Sequence, residues 1–159
     1  YFNEFKNTWH HGDYAEKKKT GGYIIYGRSD ATLNPGGVRL GTAEIYSVVE
    51  GFEQIKESIC VGQSWKNDVR IILFVVLKKN HQLSSNLIKS IKVAIRKDAS
   101  PRHVPAKIIQ VKDIPRTKNG KIVELAVKNI IEGISIKNKQ ALANPEALNL
   151  FRRLDELKY

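Results

Sequence analysis

Methionine is absent from these 159 residues and cysteine occurs once, at Cys60. A lone cysteine excludes an internal disulfide, and its place in an apolar, strand-like run marks a core thiol with no activating neighbour to make it a nucleophile. That usage fits a reducing, cytoplasmic setting. With no methionine to serve as an initiator and Tyr1 at its start, the chain reads as a piece of a longer polypeptide. No apolar run approaches the ~20 residues that span a bilayer, and no signal-peptide pattern opens the chain, so a membrane is not an expected partner. There is no Gly-x-Ser-x-Gly, no Cys/His pair and no complete phosphate-cradling glycine loop. His10 and His11, with Asp13 nearby, lack a second ligand cluster at suitable spacing, so no metal site is expected.

What is present is positive charge. The chain carries 27 Lys+Arg against 16 Asp+Glu, a formal net charge of +11 and a pI near 9.8. This favours anionic partners: nucleic acid, anionic lipid or phosphorylated small molecules. The hydrophobic fraction of 42% suffices for a true core, and the charges are interspersed rather than blocked.

Periodicity predicts a small α+β domain. Residues 1–20 show neither a helical nor a strand period. Tyr23–Tyr26 reads as a strand stopped by Gly27, and 31–34 with 38–40 as a hairpin around Pro35-Gly36-Gly37. Thr42 is a candidate N-cap for a helix with Ile45, Val48, Val49 and Phe52 on one face. Strands are expected at 55–62 and 70–77, the second buried on both faces, with a polar loop at 64–68 between them. A second helix runs from about Ser85 to Lys97, Pro101 closes that region, and 106–111 is another strand. A third helix presents Ile122, Leu125, Ala126, Ile130 and Ile131, with Gly133 at its C-terminal end. Asn144-Pro145-Glu146 reads as the start of a terminal helix with Leu148, Phe151 and Leu154 as its stripe.

The segment with the most chemistry is Asp113-Ile114-Pro115-Arg116-Thr117-Lys118-Asn119-Gly120-Lys121, a cationic glycine loop between apolar segments. A lysine held on such a loop, at the opening of a helix, can be delivered repeatedly to a carboxylate or phosphate oxygen. Gly27-Arg28-Ser29-Asp30 offers a forked donor and a pivot, and Pro35-Gly36-Gly37-Val38-Arg39 lets backbone approach a ligand beside a cation. Each alone is compatible with an ordinary turn, and His103 reads as structural.

Taken together, Gly27–Asp30, Leu33–Ile45 and Pro115–Lys121 resemble the hinge, glycine hairpin and C-terminal lysine loop of the adenylate-forming acyl-CoA synthetases, over nearly all of the chain. Within that family, 100–108, 123–128 and 142–148 resemble the acetoacetate-activating branch. The resemblance implies a small C-terminal lid domain (30–159), a β-hairpin plus a central mixed sheet flanked by helices, with 1–29 as the remnant of the large adenylating domain. It implies a ligase that joins a small carboxylic acid to ATP, with Mg2+ accompanying the nucleotide, and then to coenzyme A with release of AMP. Lys121 would be the catalytic cation; Asp13, Arg28 and Arg39 would bind nucleotide; Asp30 would be the hinge; Gly36, Gly37 and Arg96 would serve coenzyme A. The missing N-terminal adenylating domain would be the obligatory partner. The competing reading is a basic nucleic-acid-binding module without catalysis, for which the stacking platform is missing because Trp65, Tyr46 and Phe74 do not share a strand face. A docking domain that borrowed the fold is a third.

Overall fold

The apolar run from Ile71 is too hydrophobic to face water on either side, and it becomes the middle of a sheet. In the computed structural model, which describes residues 5–9, 12–28, 32–136 and 139–158, this run lies in β4 (Asp68–Leu77), between β3 (Ile55–Trp65) and β5 (Lys107–Gln110). β3 pairs antiparallel with β4, while β5 pairs parallel to it. Parallel pairing requires a crossover, supplied by α2 (Ser85–Asp98). Ser84 opens that helix, its hydroxyl accepting the Leu87 N–H at 3.2 Å.

Helices cover both faces. α1 (Ala43–Val49) and α2 pack their Ile45, Val49, Leu87, Ile91 and Ile95 side chains against Cys60, Leu73 and Val75. On the other face α3 (Glu124–Ile131) and the C-terminal segment bury Val127, Ile130, Leu148 and Phe151 against Ile59, Ile72 and Phe74. Phe74 and Phe151 meet edge to face, centroids 4.9 Å apart, worth about 0.5–1.5 kcal/mol beyond their burial. A separate two-stranded hairpin, β1 (Asp13–Lys17) with β2 (Tyr23–Arg28), precedes this body.

The α+β class therefore stands, with differences in the joints. β1 falls within the stretch read as patternless. The expected polar loop at 64–68 shrinks to a two-residue turn, because Lys66 (φ 49°) and Asn67 (φ 64°) both adopt the left-handed conformation of a tight hairpin and let the strands run on to Trp65 and Asp68. The hairpin around Pro35 reduces to a single bridge, Leu33 to Leu40, enclosing a short 3-10 turn at Pro35–Gly37. Thr42 precedes α1 in helical conformation and makes no side-chain cap. In α3 the inward residue is Val127, whereas Leu125 is 43% exposed. The terminal helix is 3-10 over Pro145–Phe151, which suits a stripe spaced by three residues.

Candidate functional site

The lysine loop begins and ends as a bridge, Arg116 pairing with Ile122. Inside it the Gly120 N–H donates to the Thr117 carbonyl at 2.8 Å, and the Thr117 N–H to the Lys121 carbonyl at 2.8 Å. The Lys121 N–H donates to Thr117 Oγ1 at 3.1 Å. Gly120 takes φ 79°, a left-handed conformation that glycine adopts without steric penalty. Lys121 thus stands on the return leg, not in the first turn of α3, which starts three residues later at Glu124.

The flanks of the loop are tied down from two directions. Arg116 reaches back to donate from Nη1 to the Gly120 carbonyl at 3.1 Å and from Nη2 to Glu57 Oε2 on β3 at 2.5 Å. On the other side the C-terminal segment adds the Thr117–Leu142 bridge, the Lys118 N–H to the Ala141 carbonyl and the Ala143 N–H to the Arg116 carbonyl. Asn144 does not cap its helix. Its side chain instead accepts the Arg116 N–H at 2.8 Å and donates to Asp113 Oδ2 and the Ile114 carbonyl. The Lys121 side chain is exposed, and among the described residues its ammonium enters no ion pair.

The glycine turn lies at the other end of β3. The Gly36 N–H donates to both oxygens of Asp68, at 2.8 and 3.1 Å, and Asp68 pairs with Trp65 where β3 ends. The bond from the Val69 N–H, and then that from Gly36, hold the Asp68 carboxyl below the usual carboxylate range. Gly36 and Gly37 are both left-handed, φ 59° and 77°, and no atom lies within 4 Å of where a Cβ would stand. A groove of about 650 Å³ beside the turn is lined by Asn34, Gly37, Trp65 and Asp68 among others. Arg70 lies over the Trp65 ring at 3.6 Å, so this indole is already stacked by a cation.

α2 returns antiparallel to β4, so its last turn, with the exposed Arg96, points towards the Asp68 end. The Lys92 ammonium donating to the Ala106 carbonyl, and Ala106 to Ile71, fix that direction. Arg39, exposed, follows the glycine turn. Gly36, Gly37, Arg39 and Arg96 therefore share one end of the sheet, and Lys121 belongs to the other. From Glu57 to Trp65 the strand advances eight residues, about 26 Å at ~3.3 Å each. Asp13 and Arg28 face each other as backbone partners in the β1–β2 hairpin. Asp30, His10 and His11 lie outside the described residues.

Three side chains to which the sequence reading gives no tethering role carry the local order: Glu57, Asn144 and Tyr46. The Tyr46 hydroxyl on α1 accepts the Cys60 N–H of β3 at 2.9 Å and donates to Glu124 at the start of α3. Nothing in hydrophobic period marks such polar partners; the lone tyrosine among α1's apolar positions is the nearest signal. His103 is structural as expected: buried, with Nδ1 2.8 Å from Ser100 Oγ and Nε2 2.5 Å from Glu44 at the start of α1. Among the described residues no group of three His, Cys, Asp or Glu side chains forms a metal centre.

Comparison with known proteins bears on this arrangement. Residues 44–121 match the AMP-binding enzyme C-terminal domain. An acetoacetyl-coenzyme A synthetase of Rhizobium meliloti (strain 1021) is 61% identical over 99% of this chain and 24% of its own length. That of Gallus gallus is 49% identical over the same shares, 99% and 24%. The structure of acetoacetyl-CoA synthetase from Streptomyces lividans superposes with a TM-score of 0.88 at 35% identity, covering 100% of this chain and 24% of that one. The chain spans about a quarter of the length of the curated relatives it matches.

Proposed function

Because this chain belongs to the C-terminal domain family of the AMP-binding, adenylate-forming enzymes, we propose that it is the lid of an ATP-dependent ligase converting acetoacetate to acetoacetyl-CoA. In this reading residues 30–159 form the lid and 1–29 end the large adenylating domain. The observation that carries it is an exposed ammonium, Lys121, on a loop clamped from both flanks. Such a cation is preorganised, and that is what an acid-activating step needs.

In the first half-reaction a carboxylate oxygen attacks the α-phosphorus of ATP; the bond to the β-phosphate oxygen breaks, and pyrophosphate leaves. Lys121 binds the carboxylate and α-phosphate oxygens while negative charge moves towards the leaving group, a contribution of about 2–4 kcal/mol to the barrier. Asp13 accepts from the ribose hydroxyls, with Arg28 beside it, and Asp30 serves as the pivot. In the second half-reaction the thiol of coenzyme A attacks the acyl carbon, giving the thioester and AMP. Gly36 and Gly37 line the pantetheine path, where a side chain would obstruct it, and Arg39 and Arg96 meet nucleotide phosphates. Magnesium travels with the ATP phosphates; no ligand for it is assigned to the described residues. The separation of Lys121 and the glycine turn along β3 supports a lid that turns, since one fixed pose presents only one end of the sheet to a single active site.

The nucleic-acid reading finds no support in the three relatives described above, each named an acetoacetyl-CoA synthetase. The test is Lys121→Ala in the intact protein. Pyrophosphate release from acetoacetate and ATP should fall about 10²–10³-fold, while thioester formation from supplied acetoacetyl-adenylate should persist. Equal loss in both half-reactions would remove Lys121 from this role.

A further inference from the structure

A lysine side chain has four rotatable bonds, so its usefulness as a catalytic cation depends on how firmly its own backbone is aimed. The peptide immediately before Lys121 is held by side chains rather than by secondary structure, its N–H by Thr117 Oγ1 and its carbonyl by Arg116. Arg116 donates from Nη1 to the Gly120 carbonyl, and its Nη2 is paired with Glu57 Oε2. The other Glu57 oxygen faces Lys56 Nζ at 3.4 Å, so the carboxylate is engaged on both sides. Glu57 is itself fixed in β3 opposite Val76. The chain of restraint therefore runs from the central sheet through Glu57 and the Arg116 guanidinium to the Gly120–Lys121 peptide. Gly120 has open space around its Cβ position and a left-handed φ of 79°, so packing does not hold this peptide. The Arg116 fork supplies a restraint that packing leaves out.

We infer that Glu57 and Arg116 are positioning residues for Lys121, setting the direction from which its ammonium reaches the reacting oxygens; the inference rests on the adenylating role proposed above. Neither needs to touch substrate. Lysine in place of arginine keeps the charge but cannot span carbonyl and carboxylate with one planar group, and glutamine in place of glutamate keeps the shape but loses the ion pair.

The experiment uses the intact protein with Arg116→Lys, Glu57→Gln, the double variant and Lys121→Ala as a reference. Pyrophosphate release from acetoacetate and ATP, thioester formation from supplied acetoacetyl-adenylate and thermal midpoints are measured on each. Both single variants should lose about tenfold or more in kcat for adenylation, as misplacement of a catalytic group does. KM for ATP and the thioester step should stay within about threefold of the parent. The double variant should be no worse than the poorer single one, because the two residues act as one unit. Full adenylation activity in both singles, or equal loss in both half-reactions, overturns the inference. Should Lys121→Ala itself retain full adenylation, the proposed function fails instead, and the two failures are thereby told apart.

Discussion

Tyr46 shows how much one polar atom can organise. Its hydroxyl belongs to α1, accepts a backbone N–H from the edge strand β3 and donates to Glu124 on α3, so it links helices on opposite faces of the sheet around the strand between them. Burial of the phenol, then the Glu124 carboxylate beside it, hold its pKa well above the ordinary tyrosine value. Tyr46→Phe removes the shared oxygen, so that Glu124 loses one donor and the Cys60 N–H loses its acceptor, costing about 1–3 kcal/mol near neutrality. The pH dependence follows from the sign of the shift. A folded-state pKa above the unfolded one gives stability that is whole below about pH 10 and declines as pH rises towards the folded value. Urea titrations should therefore show the largest gap between parent and Tyr46→Phe at neutral pH, and a narrower gap above pH ~10. A gap that widens with alkalinity would contradict a neutral, donating phenol.

At the scale of elements, β3 and β4 are the frame that carries the lysine loop and the glycine turn, and Gly62 leaves no room for a side chain between them. A Cβ there would stand 2.8 Å from Val69 Cγ1, and a valine cannot swing a distal group away. Gly62→Ala should destabilise by about 1–3 kcal/mol through overpacking, read as a lower urea midpoint with unchanged slope; an unchanged midpoint would mean that the hairpin yields. The frame was legible in the sequence where burial sets the pattern: the apolar run of β4, the helical faces of α1 and α2, and the span of β5. It was illegible where pairing or a polar side chain decides. Asp13–Lys17 has no strand period of its own and is a strand because the tight turn joining Lys18 to Gly22 folds it onto β2. Lys66-Asn67 closes β3 onto β4 through left-handed angles that its composition signals weakly. Asn144 before Pro145 has the signature of a helix cap, yet its amide is used across the chain on Arg116 and Asp113. The candidate site divided in the same way: the lysine loop and glycine turn stand out as glycine-bearing segments, whereas the Glu57 tether lies 59 residues from Arg116 in the chain and has no local mark.

At the scale of the whole molecule, the long axis of the sheet makes the proposed mechanism separable by kinetics. Lys121 is carried by a loop tethered at Glu57 and Gly37 by a turn tethered at Asp68, anchor points about 26 Å apart along β3. Groups that far apart, sharing no partners, have independent effects on stability, so the losses in unfolding free energy for Lys121→Ala and Gly37→Leu should add within about 0.5 kcal/mol. Their effects on turnover should behave differently. If both groups acted in one transition state, their barrier increments would add and the rate losses would multiply. If Lys121 serves acyl-adenylate formation and Gly37 the passage of coenzyme A, each variant slows a different step, and the slower step sets the overall rate. The Gly37 variant leaves the core untouched, because nothing lies within 4 Å of its Cβ position, while its left-handed φ and its place beside the groove put the new side chain where the thiol arm would pass. The steady-state kcat of the double variant, at saturating acetoacetate, ATP and coenzyme A, should thus lie within about twofold of the slower single variant. A product of the two losses would place both ends of the sheet in the same step, and a lid turning between two poses could not produce it.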